Sequence, residues 1–134
     1  MEQVAINWFS VLGASVVGFV VGSLWYGPLF GKAWMASVGL SEADAKKANM
    51  ARIFGIAFVL QFIMAYCLAM FFGPDISPGL GTLHGFLTGL PWVAAAITIN
   101  ALFEQKSWNY IWINGSYWTV TFTVMGLILG TWPG

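Results

Sequence analysis

The segment Ile53–Phe72 reads IFGIAFVLQFIMAYCLAMFF and contains no Asp, Glu, Lys or Arg. A helix of about 20 consecutive apolar residues crosses the roughly 30 Å hydrocarbon core of a bilayer. The apolar residues follow one another without the alternation that strands of a membrane β-barrel require. A helix satisfies its own backbone hydrogen bonds, so it is the form in which such a segment crosses lipid. The segment therefore predicts an all-α membrane protein.

Three further stretches have the same character, and none of them contains a charged residue. The first is also too long to be the apolar core of a cleavable signal peptide. Together with Ile53–Phe72, they predict one domain over residues 1–134 with four transmembrane helices. The three additional predicted spans are Val4–Tyr26, Leu80–Phe103 and Tyr110–Thr131.

The composition supports a membrane location and excludes other classes. Hydrophobic residues make up 59% of the chain and charged residues 7%, whereas soluble domains carry about 25% charged residues. The mean hydropathy is +0.79. The formal net charge is zero, so the chain lacks the clustered basic surface that nucleic-acid binding needs. The expected partner is the lipid bilayer.

The basic residues indicate an orientation. Lys32, Lys46, Lys47 and Arg52 fall in or beside the first connection, and Lys106 falls in the third. Because Lys and Arg are retained on the cytoplasmic side, both termini are predicted to be non-cytoplasmic. The expected location is a cell inner membrane.

The first connection is expected to contain a short interfacial or helical segment on the cytoplasmic side. Phe30 and Trp34 have the four-residue spacing of an amphipathic helix at the headgroup level. Ser41-Glu42-Ala43-Asp44 then fits a helix start. No Pro or Gly follows until Gly55, so one helix is predicted to run from Glu42 into the second span.

Small residues recur at four-residue spacing on three of the predicted spans, which lets transmembrane helices approach closely. The ridges on spans three and four are expected to face each other. The ridge on span one is compatible with a contact inside the chain or with a homodimer. Pro91 is expected to kink span three. The packing residues are Ala14, Gly18 and Gly22, then Gly81, Gly85 and Gly89, then Gly126 and Gly130.

The sequence contains no recognisable catalytic constellation. One His and one Cys do not provide the ligand spacings of a zinc site, and no phosphate-binding or dinucleotide-binding motif occurs. The sequence therefore predicts no catalytic residue, metal or cofactor, and whether the protein is an enzyme stays open.

Uncharged polar residues inside the spans are the candidates for a site. One interpretation gives each of them a single interhelical hydrogen bond, and the other places them along a ligand or solute path. If there is a site, it is expected between spans three and four, toward the cytoplasmic side. The candidates are His84, Thr88, Trp92, Asn100 and Glu104, then Asn114, Tyr117 and Thr121, and Gln61 on span two.

Four segments carry a resemblance to a known family: LWYGPLFGKAWM (24–35), NALFE (100–104), INGSY (113–117) and MGLILG (125–130). They resemble the domain of unknown function 1761 family of small bacterial integral membrane proteins. The resemblance implies a bacterial inner membrane and brings no established activity. It also implies a recurring pattern of residues: Trp25, Tyr26, Phe30, Trp34, Asn100, Glu104, Asn114 and Tyr117.

Three functional hypotheses follow. The first is a small-solute transporter or channel, built as a homo-oligomer because four spans enclose little volume alone. The second is an accessory or structural subunit that packs against another membrane protein. The third, ranked below these two, is an intramembrane lipid-binding protein or enzyme with a site at the inner face.

Overall fold

A computed structural model describes residues 6–41, 43, 49–73 and 75–132, and all regular secondary structure in these ranges is helical. Four long helical stretches run antiparallel to one another in chain order. Two of them contain a π-helical segment. In order, the elements are α1 (Trp8–Leu24), a π-helical turn (Trp25–Leu29), α2 (Gly31–Val38), α3 (Met50–Phe72), α4 (Pro78–Thr88), a π-helical segment (Gly89–Ala94), α5 (Ala95–Phe103) and α6 (Trp108–Thr131).

Each long stretch begins at a polar cap. Side-chain oxygens of Asn7, Asn49, Ser77 and Ser107 accept hydrogen bonds from backbone N–H groups of the first helical turn, at 3.1–3.3 Å. Four N–H groups at a helix start lack an intrahelical partner, and these caps satisfy some of them. Pro78 directly follows its cap, where its missing N–H costs nothing.

Within the described part of the chain, three helices are long and apolar enough to cross a membrane: Trp8–Leu29, Ala51–Phe72 and Pro78–Phe103. They correspond to the first three predicted spans. The fourth predicted span forms α6, whose 24 residues extend about 36 Å at 1.5 Å per residue. α6 contains Asn, Ser, Thr, Trp and Tyr side chains, which make it less apolar than the other three helices. Much of its surface is buried in protein, where these polar side chains can find partners.

α6 occupies the centre of the bundle and contacts α1, α2, α4 and α5. Its closest neighbour is α4, where no side chain separates the two backbones. A Cβ on Gly126 would overlap the carbonyl oxygen of Gly81, and a Cβ on Gly85 would overlap that of Phe122. The small-residue ridges of these two helices therefore lie directly against each other, as transmembrane helices with small-xxx-small patterns do.

The hydrophobic core lies at the end of the bundle where α1 begins and α6 ends. Side chains from α1, α3 and α6 form it: Val11, Ala14, Ala65, Leu68, Phe122, Met125 and Leu129. At this end the Asn7 amide donates to the carbonyl oxygen of Trp132 at 3.3 Å, and Phe9 stacks on the Trp132 ring. The connection between α3 and α4 lies at the same end, because Gly130 packs against Ser77.

The first half of α3 diverges from the rest of the bundle. Ile53, Phe54, Val59 and Leu60 are each about half exposed, at 49–57%. Aromatic contacts bridge α1 and α3 here, since Phe19 of α1 lies 6.1 Å from Phe54 and 5.7 Å from Phe58 between ring centroids. α3 is therefore tightly packed at one end of the molecule and splayed outward at the other.

The predicted continuous helix from Glu42 into span two is wrong. α3 begins at Met50, and Asn49 has non-helical angles (φ −78°, ψ 88°) because it caps the helix. The two acidic residues of the predicted helix start Ser41-Glu42-Ala43-Asp44, Glu42 and Asp44, lie outside the described residues. The expected helix around Phe30 and Trp34 is present as α2, and the irregularity expected at Pro91 is a π-helical segment.

The α4–α6 contact yields a stability prediction. Gly126→Ala places a methyl group against the Gly81 backbone, which cannot move aside as the end of a side chain can. We therefore expect the free energy of unfolding to fall by about 2 kcal/mol. The matched control is Gly55→Ala on α3, where a Cβ meets nothing within 4 Å and the change stabilises by at most about 1 kcal/mol. Unfolding in mixed micelles measures both, and equal effects would contradict the close contact.

Candidate functional site: a pocket between α1, α3 and α6

A buried hydrogen-bonded link joins three helices near the middle of the bundle. Gln61 of α3 is 6% exposed, and its Nε2 donates to the hydroxyl of Tyr117 on α6 at 3.1 Å. That hydroxyl donates to the carbonyl oxygen of Gly18 on α1 at 2.9 Å. Polar groups away from water are costly unless they are paired. The pairing therefore fixes where the three helices meet.

Gly18 makes this link possible because it has no side chain. A Cβ on Gly18 would coincide with the Oε1 atom of Gln61. This oxygen is buried and accepts no N–H or O–H hydrogen bond. A Cα–H group of Gly18 points at it, and such C–H contacts are weak. Gly22, one turn further along, faces the Tyr117 hydroxyl, which is 3.3 Å from where its Cβ would be.

The WYGP sequence ends α1 and turns the chain back over the bundle. Pro28 has no N–H to donate and disfavours a continued α-helix, and Gly27 leaves helical geometry at φ −107° and ψ −105°. The resulting π-helical turn points the Trp25 indole at α6. Its Nε1 donates to the carbonyl oxygen of Ile113 at 3.0 Å and lies 3.2 Å from the Ser116 hydroxyl.

Aromatic rings hold α2 against the same face of α6. The Tyr26 ring lies 5.3 Å from that of Trp34 and 5.2 Å from that of Tyr117. Its hydroxyl also donates to Oδ1 of Asn114. Edge-to-face ring pairs at these distances add stability beyond their buried area. The turn and α2 thus form a fixed aromatic cover over the α1–α6 contact.

Gly31 allows this turn to close. A Cβ there would lie 2.6 Å from the Tyr26 carbonyl oxygen, too close for any other residue without a backbone shift. Phe30 precedes it and packs edge-to-face on Trp112, with ring centroids 4.8 Å apart. The glycine and its neighbours therefore explain most of the segment that carries the family resemblance.

These elements enclose a partly open cavity of about 660 Å³. Gly18, Gln61 and Tyr117 form one wall, where the polar link lies, and Trp34 of α2 lies at another. The side toward α3 consists of apolar residues, including Phe54. The volume falls within the range of about 300–1,000 Å³ that is typical of small-molecule sites. The cavity is an apolar pocket with a few polar groups.

The structure brings four of the sequence-predicted site residues together at or beside this pocket. Gln61, Asn114 and Tyr117 line it, and Thr121 is fully buried one turn from Tyr117 on α6. Three of the four lie on α6, the helix on which the sequence places a polar face. The predicted α6 side chains and Gln61 therefore form one cluster.

The other candidates lie elsewhere. His84 and Asn100 are exposed, and Trp92 is 74% exposed, on the outer face of α4 and α5. The Thr88 hydroxyl donates to the His84 carbonyl oxygen at 2.8 Å, and Glu104 is exposed at the end of α5. The glycine ridges bring the backbones of spans three and four into contact between Gly81 and Gly89. The cavity described here lies instead between α1, α3 and α6.

Sequence reasoning missed several pocket residues. Gly18 and Gly22 were expected only to pack helices, yet both line the cavity. Tyr26 and Trp34 belong to the family pattern, but no periodicity places them beside Gln61, because this depends on the turn at Gly27. The signal available in the sequence was Gln61 itself, a polar residue in the middle of an otherwise apolar span.

The pocket is suited to binding a molecule through uncharged groups. Among the residues that the structure describes, all side chains that line the pocket are uncharged. Within the ranges that the structure describes, no group of three His, Cys, Asp or Glu side chains is arranged to hold a metal ion. The arrangement provides hydrogen bonding and apolar contact.

Comparison with known proteins gives one match. A family model described as "Protein of unknown function (DUF1761)" matches residues 9–130. No curated protein and no solved structure matches the chain. The matched range includes the π-helical turn, the aromatic cover and all three members of the buried link.

The buried link predicts a measurable coupling. Tyr117→Phe removes the donor to Gly18 and the acceptor for Gln61, so we expect a loss of about 1 kcal/mol in unfolding free energy. Adding Gln61→Leu removes the amide that Tyr117→Phe leaves unpaired. The loss of unfolding free energy in the double variant should therefore be smaller than the sum of the two single losses, by at least about 0.5 kcal/mol.

Unfolding in mixed micelles again provides the measurement. Tyr66→Phe is the matched control, because the half-buried Tyr66 of α3 contacts the Trp8 ring face to face and a Phe ring preserves that contact. Strict additivity of Tyr117→Phe and Gln61→Leu would contradict the link.

Proposed function

This chain belongs to the DUF1761 family, and we propose that it is an integral membrane protein that binds one small apolar or amphipathic molecule within the bilayer. The observation that carries the proposal is the 660 Å³ cavity with Gln61 and Tyr117 on its wall. Such a combination of apolar surface with a few convergent polar groups is typical of ligand sites.

The splayed half of α3 supports access from the lipid. Leu60 lines the pocket and is 51% exposed, so it lies at the boundary of the protein rather than in its core. Phe54 has the same position, lining the cavity while 53% exposed. A molecule dissolved in the bilayer reaches the pocket between α1 and α3 without passing through water.

The topology belongs to the same proposal. We place α6 as a fourth span, with both termini on the non-cytoplasmic side of a bacterial inner membrane. Arg52 at the start of α3 and Lys106 between α5 and α6 then lie on the cytoplasmic side, in agreement with the retention of basic residues there. Reaction of single cysteines, introduced into a Cys67→Ser background, with an impermeant reagent in whole cells tests this. Cysteine at Asp75 should react and cysteine at Gln105 should not.

A transporter for the same molecule is the second candidate. The observation in its favour is that a π-helical turn ends Trp8–Leu29 and a π-helical segment interrupts Pro78–Phe103, and such segments often lie at functional sites. Transport requires a second, opposite opening, and a homo-oligomer or a partner membrane protein provides one way to form it. The binding proposal does not depend on this step.

Photolabelling with a diazirine-bearing hexadecane tests the binding proposal. In lipid nanodiscs we expect labels to concentrate on pocket residues such as Met35, Phe54 and Met64. Ala57 lines the pocket and is half-buried, so Ala57→Phe fills part of the volume. We expect this change to reduce pocket labelling by about fivefold or more, which corresponds to about 1 kcal/mol.

Ala96→Phe is the matched control, because Ala96 is exposed on α5 and does not line the pocket. It should leave the labelling pattern unchanged. Labels spread evenly over the outer surface, with no response to Ala57→Phe, would contradict the proposal.

A further inference from the structure

We infer that the molecule bound in this pocket is an uncharged amphiphile whose head carries a hydroxyl or an amide group. The inference rests on the proposed function and specifies its ligand class. It follows from the charge of the lining, from its hydrogen-bonding capacity and from the position of its apolar side.

The lining excludes an ionic head. Every described residue that lines the cavity is uncharged, and the polar atoms of this lining come from Ser23, Tyr26, Gln61, Asn114 and Tyr117, with the indole of Trp34. An ion transferred into such surroundings without a counter-charge loses its hydration and gains little in return. A carboxylate, phosphate or ammonium head would be left uncompensated inside the pocket.

Unused hydrogen-bonding capacity favours a polar head over a pure hydrocarbon. Nδ2 of Asn114 donates to the Tyr110 carbonyl oxygen at 3.0 Å and retains a second N–H. The Ser23 hydroxyl donates to the Phe19 carbonyl oxygen at 2.9 Å and retains acceptor lone pairs. The pocket therefore offers both donors and acceptors, which a hydroxyl or an amide satisfies together.

Two buried atoms strengthen this reading. Oε1 of Gln61 and Nε1 of Trp34 have no hydrogen-bond partner, and both residues line the cavity. Most buried polar atoms in proteins are paired. One is an acceptor and the other a donor, and these are the two hydrogen-bonding functions that a hydroxyl or amide head complements.

The apolar side accommodates a chain. Phe19, Phe54, Leu60 and Met64 line the cavity on the side of α1 and α3 that meets the lipid. A chain leaving the pocket between these helices continues into the bilayer. The head then lies toward α6 and the chain toward α3.

Competition among probes with the same 16-carbon chain tests the ligand class. The label is a diazirine-bearing hexadecan-1-ol in phosphatidylcholine nanodiscs, and the competitors are hexadecan-1-ol, hexadecane-1-sulfonate, hexadecyltrimethylammonium and hexadecane. We expect the alcohol to displace the label at a concentration at least about tenfold lower than either ion requires. It should also compete better than hexadecane.

Gln61→Leu should reduce the advantage of the alcohol over hexadecane by about fivefold. Ser23→Ala, at an exposed position, gives the same test if Gln61→Leu does not fold. Asn109→Leu is the control, because its amide is exposed at the start of α6 and outside the pocket. It should leave the advantage unchanged.

The outcomes separate the two proposals. A charged probe that competes as well as the alcohol would overturn the inference, as would a hexadecane that matches it, while pocket binding itself stands. If neither the alcohol label nor the hexadecane label concentrates in the pocket, the proposed function fails as well.

Discussion

The hydrogen bonds from Gln61 to Tyr117 and from Tyr117 to Gly18 are the constraint on which the arrangement of α1, α3 and α6 depends. Lipid offers no alternative partner to these groups, so separating the helices leaves the amide and the hydroxyl unpaired. The link also lies at the boundary between two kinds of packing. Toward the chain termini the helices share a dense apolar core, and beyond Gln61 α3 moves away and the pocket begins.

The two sides of α6 serve different purposes. Against α4 the backbones touch through Gly81, Gly85 and Gly126, which leaves a rigid, closed contact. On the opposite side, the absence of side chains at Gly18 and Gly22 admits Gln61 and opens space beside Tyr117. Glycine thus allows close contact at one interface of α6 and leaves space for a cavity at the other. What differs is whether a backbone or a long side chain from the neighbouring helix lies opposite.

Much of the fold was predictable from local patterns. Apolar length located the three helices that are long and apolar enough to cross a membrane, and the family resemblance marked Trp25, Tyr26, Phe30 and Trp34 as part of a recurring pattern. The position of the site was not predictable, because a helix face is functional only relative to its neighbours. His84, Thr88, Trp92 and Asn100 are separated by multiples of four residues and so share one helix face in the sequence. The glycines of α4 turn the opposite face toward α6. Tyr26 reaches Asn114 only because Gly27 and Pro28 interrupt the helix, and no periodicity encodes that turn.

The central claim is that the buried link ends the dense core and leaves a pocket that lipid-dissolved molecules enter between α1 and α3. A crystal structure of the protein in lipid tests this most directly. The account predicts the Gln61 amide within hydrogen-bonding distance of the Tyr117 hydroxyl, with elongated density beside them that extends past Phe54. A first half of α3 that closes against α1 and α6, with Gln61 turned away from Tyr117 and no cavity between the helices, would contradict it.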